Sequence, residues 1–458
     1  MLLMMIGCKL PQMSEAPILR NMPTRWAGVS DTVGPPRGLF RHDPSLSALI
    51  DTVLANNPDL RIASERIRMA GAVATQARGM MLPQVNAGLT PSLRKFGLYT
   101  MDGAGNIVTE MEPGKLIPID LPDFMLGIQA SWEADLWGKL RDRKVAARAR
   151  FMASESARQL LRTSLVAEAA SAYYELVAAD QELRMLDQTI ALQEEALSLV
   201  KVQKEASVVN QLAVQQFEAQ LLDQQGLRIQ VKQLIVDTEA RINTLAGRFN
   251  ASIPRDSAFF SSTALAPLKP GIPARMVEYR PDIRQAAYEL TAAKADMEAA
   301  RKAFLPSLMI TGSTALQAYR PGAWLLFPES IAYNLIGGLA GPIFNRNQIA
   351  GEFTKADALR REAMFNYQSK VSHAFLEVQQ ELRRFDNLQA IFDLKRKESG
   401  ILLDAVDVSR DLFRYGRADY LEVLLARQNA LRVNMELIES RRMQFLTAVK
   451  LYRALGGD

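Results

Sequence analysis

A mainly α-helical fold with a β portion is what the sequence predicts, and three observations carry it. The 458-residue chain is a tandem repeat, each copy holds an uninterrupted helical stretch close to 70 residues long, and each copy holds two strongly alternating strands. The duplication is plainest at 58–83, PDLRIASERIRMAGAVATQARGMMLP, and 281–306, PDIRQAAYELTAAKADMEAARKAFLP. These align without a gap at an offset of 223, with ten of 26 positions identical, among them Pro58/Pro281, Asp59/Asp282, Arg61/Arg284 and Pro83/Pro306. Self-similarity on this scale marks repeated supersecondary units. The copies also close alike, NTLAGR (243–248) and YRALGGD (452–458) each ending a helix on Leu and a glycine cap. The domains expected are an N-terminal segment 1–44, a first repeat 45–248, a linker 249–274 rich in Ser and Pro, and a second repeat 275–458.

Within each copy the order of elements is the same. A proline followed by an acid opens a helix, suiting the fixed φ of proline and the helix dipole, and the next proline stops it. Helices are expected from Asp59 to Leu82 and from Asp282 to Leu305. Strands come next. Residues 84–94 place Val85, Ala87, Leu89, Pro91 and Leu93 on one face and Gln84, Asn86, Gly88, Thr90, Ser92 and Arg94 on the other. Residues 124–135 repeat the pattern with Phe124, Leu126, Ile128, Ala130 and Trp132. In the second copy Leu308 to Leu316 and Ile331 to Leu339 do likewise, so each copy supplies one hairpin. The helical stretches Lys139 to Ala206 and Arg346 to Tyr415 contain no proline, and each measures about 100 Å. The chain turns at Ser207 to Asn210, or at Gly416, and returns as helices of about 55 Å. Adding the preceding short helix, about 36 Å, gives about 90 Å, so two short helices stacked end to end match one long helix.

Composition narrows the function. Apolar residues are 48% and charged residues 23%, an ordinary folded composition, and 55 basic against 50 acidic residues are interleaved, so nucleic acid is not implied as a partner. No run of 18 apolar residues is present; the nearest, Ser330 to Phe344, is broken by Asn334, glycines and a proline. A single cysteine and two histidines preclude a disulfide framework and a conventional Cys/His zinc site. No cofactor and no catalytic constellation is expected. Gly103-Ala104-Gly105 reads as a turn between strands, and acid pairs such as Glu194 and Glu195 read as a solvated helix face. Alanines 146, 147, 149, 153 and 157 read as close helix packing.

Strands of this length are long enough to cross a bilayer at a tilt. Four cannot close a barrel, and an open sheet in lipid would leave unpaired amides each costing several kcal/mol, so three chains with twelve strands are the smallest sensible closure. The alternative is a non-pore helical scaffold or adaptor of the cell envelope.

At the N-terminus Leu2 to Gly7 form a short apolar run before Cys8, which resembles the end of a bacterial lipoprotein signal. Cys8 is then the lipidation site. No basic residue precedes the run, and Met5 and Ile6 stand where Leu and a small residue are usual, so a late start codon or a clipped signal is expected. Segment 1–44 is accordingly read as a lipid anchor followed by extended chain.

The blocks RPDIRQAAYELTAAKADMEAARKAFLPSLMITGS (280–313), WEADLWGKLR (132–141), GPIFNR (341–346), RYGRADYLEVLLARQNAL (414–431) and LYRALGG (451–457) resemble the TolC-like outer-membrane factors, particularly the NodT-type efflux lipoproteins. The resemblance spans about 43–458. It implies a homotrimer forming a 12-stranded outer-membrane barrel on a long α-helical periplasmic tunnel, in a Gram-negative bacterium. It also implies a periplasmic adaptor (membrane fusion protein) and an inner-membrane pump of resistance-nodulation-division type. The function implied is an exit channel of a tripartite efflux or export system for small molecules or ions, with outer-membrane lipid around it. Lys9 after Cys8 carries no inner-membrane retention signal. The adaptor-docking tip is expected at Ala206, Ser207, Val208, Tyr415 and Gly416, where the long helices reverse. The resemblance places the periplasmic gate around and just beyond Gly416, at Arg414, Arg417, Asp419, Glu422 and Leu425. Asp419 and Glu422, one turn apart, would form charged rings under threefold symmetry, bridged by the arginines of a neighbour, with Leu425 an apolar plug. The same two acids would also suit a solvated outer face.

Overall fold

The computed structural model describes residues 11–15, 23, 40, 43–255, 260, 278–341 and 346–457. The elements run α1 (Pro44–Asn56), α2 (Pro58–Gly79), β1 (Gln84–Lys95), α3 (Met101–Val108), β2 (Glu110–Glu112), β3 (Lys115–Leu116), β4 (Asp120–Ala134), α4 (Lys139–Glu205) and α5 (Gln211–Leu245). The second copy follows with α6 (Pro281–Lys302), β5 (Ser307–Ala318), β6 (Ile331–Ala340), α7 (Arg346–Arg414) and α8 (Tyr420–Ala454). Corresponding elements match closely: α2 and α6 have 22 residues each, α5 and α8 have 35, and α4 and α7 have 67 and 69. No helix among the described residues is long and apolar enough to cross a membrane.

Two compact bodies emerge, and each draws on both copies. The first includes Arg68–Met152 and Tyr288–Phe365 and is built around a four-stranded antiparallel sheet of order β1-β4-β5-β6. The hairpin of one copy therefore pairs with that of the other through β4 and β5, while β1 and β6 are edges. Register decides the faces. Leu89 pairs with Leu126, Leu126 with Leu316 and Leu316 with Ile331, so these apolar residues share one side. Asn86 with Gln129, Gln129 with Ser313 and Ser313 with Asn334 line the other. The apolar side is exposed, with Leu93 at 72%, Tyr333 at 83% and Leu335 at 78%. In the same body Ala146 and Ala149 of α4 pack on Ala292 of α6, as small residues permit.

One expectation fails here. Gly103-Ala104-Gly105 lies within the helix α3, whose start is capped by the Thr100 hydroxyl accepting from Gly103 N at 3.1 Å. A Cβ on Gly103 would stand 2.0 Å from the Gly97 carbonyl oxygen, so the glycine serves a close backbone approach and not a turn. The small β2-β3 ribbon in the same connection was likewise not anticipated.

The second body includes Ala153–Ala287 and Asn366–Asp458. Its largest core joins Leu46, Leu49, Ile50 and Val53 of α1 to Tyr173, Leu176 and Val177 of α4, Ile242 of α5 and Phe445 and Tyr452 of α8. Phe445 stacks on Tyr174 at 4.4 Å and on Phe260 at 5.2 Å, so the linker between the copies is packed at Phe260. Burial pushes the Tyr174 hydroxyl well above the ordinary tyrosine range, with Asp43 and Tyr173 adding to the shift. Arg255, also in the linker, pairs with Asp180 and Glu239.

Short helices meet end to end in this body by the same device in both copies. Asn57, just before α2, donates to the carbonyl of Leu245, the last residue of α5, at 2.9 Å, and its own oxygen accepts from Asp59 N at 2.9 Å. Arg280, just before α6, donates to the carbonyl of Ala454, the last residue of α8, at 2.7 Å. It also holds Asp282 through two contacts at 3.0 and 2.8 Å and Glu377 of α7 at 3.0 Å. Arg280 is 8% exposed. Burial alone would raise the Asp282 carboxyl, but the hydrogen bonds and charge of Arg280 and the Ile283 N–H outweigh it and hold it below the usual carboxylate range.

Arg280→Ala should therefore cost about 3 to 5 kcal/mol, because Asp282 loses its buried counter-charge and Glu377 keeps only Arg453, whereas Arg280→Lys should cost less. Asp282 stability is present above the ordinary carboxylate range and lost as pH falls through its depressed value. Denaturant unfolding of wild type and Arg280→Ala between pH 7 and pH 3 checks this: the gap should narrow toward the acid end, and a constant gap contradicts the assignment.

Candidate gate, docking tip and duct lining

The two long helices end in the same motif. At the end of α4, Ser207 adopts φ 60°, with Ser207 N donating to Lys204 O at 2.9 Å and Val208 N to Gln203 O at 2.9 Å. At the end of α7, Gly416 adopts φ 70°, with Gly416 N donating to Phe413 O at 3.0 Å and Arg417 N to Leu412 O at 2.8 Å. This paired bonding around a left-handed residue satisfies the last helical carbonyls. Glycine takes it freely in the second copy, whereas in the first a serine bears the strain. Three residues on, the copies diverge again. The Asn210 side chain caps α5 by accepting from Ala213 N at 3.1 Å, but Asp419, at the same place before α8, makes no side-chain cap.

The two tips share a small core of Leu197, Val200, Ala213, Val214, Phe217 and Leu424, with Tyr420 and Val209 packed against it. Ala206, Ser207, Val208, Tyr415 and Gly416 are exposed at the reversals, Val208 at 68% and Tyr415 at 75%. With Val423 and Leu424 buried inward, Asp419, Glu422 and Leu425 are left exposed at three-residue spacing. Arg414 and Arg417 are exposed as well. Among the described residues none of Arg414, Arg417, Asp419 and Glu422 forms an ion pair within its own chain. Cys8 lies outside the described residues.

Sequence reasoning missed Arg427, two turns into α8. Its Nη1 donates to Leu192 O of α4 at 3.0 Å. Burial and then the neighbouring Arg410 lower its pKa, with Glu195 opposing them. A signal was present, for the neighbours three and four residues away are Val423, Leu424, Ala430 and Leu431, with no acid to pair it on its own helix. The polar side of the sheet also belongs to the site: Gln84, Asn86, Thr90, Gln129, Ser131, Thr311, Ser313 and Asn334 share it by register.

A sheet polar on one side, apolar and exposed on the other, and carried on paired long helices defines a membrane-embedded β protein with a helical extension. The profile of the family described as outer membrane efflux protein matches residues 49–248 and 273–457. The chain belongs to that family, and its place is the outer membrane. The probable outer membrane lipoprotein SilC of Salmonella typhimurium is 27% identical over 425 residues, covering 91% of this chain and 87% of the relative. The toluene efflux pump outer membrane protein TtgC of Pseudomonas putida is 28% identical over 480 residues, covering 98% and 93%. The crystal structure of the open state of the MtrE outer membrane channel of Neisseria gonorrhoeae matches with a TM-score of 0.83 at 22% identity, covering 98% of both chains.

Relieving the strained turn gives a direct check. Ser207→Gly should stabilise the first tip by about 1 kcal/mol, since a left-handed residue with a Cβ is penalised by that order. Amide hydrogen exchange at 203–209 should slow several-fold; faster or unchanged exchange would place the conformation of Ser207 elsewhere.

Proposed function

We propose that three copies of the chain close their sheets into one twelve-stranded barrel and continue it as a helical tunnel, forming the exit channel of a tripartite efflux or export system. The observation that carries this is the state of the sheet edges. β1 and β6 are exposed along nearly their whole lengths and run in opposite directions, so β6 of one copy can pair antiparallel with β1 of the next around a ring. A homotrimer satisfies every edge amide that lipid would otherwise strand. The polar side of the sheet then lines a water-filled duct and the apolar side meets lipid. This reading assigns the chain a conduit role without a catalytic step. Cargo is small molecules or ions handed over by an inner-membrane pump of resistance-nodulation-division type through a periplasmic adaptor.

Neighbouring residues 334 and 335 test the faces. Leu335→Arg should cost about 2 to 4 kcal/mol if it meets the bilayer midplane and should deplete trimers from the outer membrane, while Asn334→Arg on the duct side should leave their amount unchanged. Equal loss in both, or in neither, argues against a barrel.

In this reading the exposed turns at Ala206, Ser207, Val208, Tyr415 and Gly416 dock the adaptor. Asp419 and Glu422 form the periplasmic gate, bridged by Arg414 and Arg417 of a neighbouring copy and backed by Leu425 as an apolar ring. That none of these four charged residues forms an ion pair among the described residues of its own chain supports the assignment. In planar bilayers Arg417→Ala combined with Glu422→Ala should raise open probability and weaken cation selectivity; a correctly assembled double variant with unchanged conductance and selectivity moves the gate elsewhere.

Lipid attachment at Cys8 is the third part of the reading. The carbonyl of Ser14 accepts from Arg360 Nη2 at 2.7 Å, and Arg360 is itself buried and paired with Asp357. Ser14 is six residue steps from Cys8, at most about 20 Å of extended chain. Arg360 stands 14 residues into α7, about 21 Å from the helix start where β6 has just ended. The reach of this segment is thus comparable with the distance from Arg360 to the start of α7. Mass spectrometry of the N-terminal peptide reads the modification, and an unmodified Cys8 in natively expressed protein removes it.

A further inference from the structure

The polar side of the sheet carries three charged residues, Arg94, Asp123 and Glu133, at unlike positions. Glu133 lies at the end of β4 next to α4, and its carboxylate is neutralised by Lys139 at 2.5 Å. Asp123 lies at the opposite end, by the hairpin connections, directly across from Ser92. Both of its carboxylate oxygens accept from the amide of Gln317 at 2.9 Å, and Gln317 comes from β5, one register step away. A neutral amide orients a carboxylate without removing its charge. Arg94, one step further toward the connection, lies 5.6 Å from the Phe96 ring and forms no ion pair with Asp123. At its far end the sheet thus holds one oriented carboxylate without an ion pair, one step from the Arg94 guanidinium, with Ser92, Thr90, Gln317, Met125 and Leu121 on the same face.

We propose that Asp123, held toward the duct by Gln317, forms a ring of three carboxylates near the outer mouth of the barrel and makes this end of the lumen prefer cations. The inference rests on the trimeric barrel of the preceding section. Low-dielectric walls around a narrow water column focus the field of such a ring and raise the local concentration of cations. Gln317 is a positioning residue: without its amide the carboxylate is free to swing and the preference weakens.

Ser92→Cys places a thiol beside Asp123 and reports the local field from the cell exterior, whatever the state of the periplasmic end. Trimers bearing it in intact outer membrane are treated with a cationic trimethylammonium-ethyl and an anionic sulfonatoethyl methanethiosulfonate. Each rate is divided by that of a free thiol, and labelling of the parent chain carrying Cys8 alone is subtracted. The cationic reagent should react about tenfold faster. The ratio should fall severalfold toward unity in Asp123→Asn, less far in Gln317→Ala, and stay high in Asp123→Glu. Equal rates for the two reagents with Asp123 intact overturn the proposal while leaving the barrel in place, and this comparison needs no second substitution. A ratio unmoved by Asp123→Asn in assembled trimers overturns it as well. Reaction with neither reagent would mean that Ser92 is not in water, which defeats the barrel reading and the ring together.

Discussion

A side chain that precedes a short helix and grips the last carbonyl of another is the joint on which the helical body depends. The returning helices α5 and α8 are about half the length of their long partners, so each must be continued by α2 or α6. Where two helices abut, the last carbonyls of one and the first amides of the other have no intrahelical partner, and burying them unsatisfied would be costly. Asn57 and Arg280 answer both needs at once. Each donates to the terminal carbonyl, and Asn57 or the Arg280-bound Asp282 accepts from the first amides of the next helix. Pro58 and Pro281 follow immediately, contributing a fixed φ and no surplus donor.

The two copies keep this geometry while exchanging its chemistry. A neutral amide serves the first joint, and a buried guanidinium with two acids serves the second, where Arg453 also reaches Glu377 at 3.0 Å. At the tips, Ser207 and Gly416 share one backbone conformation, and Asn210 and Asp419 share one position with different bonding. The first copy thus caps its returning helix through a side chain, and the second leaves the Asp419 side chain out of the cap.

Much of this was legible in the residues. Proline at a first helical turn, period-two alternation and a gap-free internal repeat are local signals, and the elements they announced form within one to four residues of the expected ends. Ala206, Ser207, Val208, Tyr415, Gly416 and Arg417 lie exposed at the reversals, while Arg414 ends α7 and Glu422 and Leu425 lie at the start of α8. What stayed hidden was of two kinds. Gly103 looked like a turn because its real constraint, the carbonyl of Gly97, is a tertiary approach with no sequence signature. The roles of Arg427 and Gln317 rest on partners, Leu192 and Asp123, that lie 235 and 194 residues away.

By itself the sequence determined the duplicated elements, their lengths and the two faces of each long strand, since these follow from periodicity and from residues adjacent in the chain; α1, α3 and the β2-β3 ribbon were not among them. Only the tertiary structure decided that β4 joins β5 and so welds the hairpins of the two copies into one sheet, with β1 and β6 left as edges. It alone decided that the physical bodies cut across the repeats, and which charges are spent inside the chain and which are left exposed. The reason is that register, end-to-end helix joints and ion pairs are contacts between residues far apart in sequence, where local propensity carries no information about which partner is met.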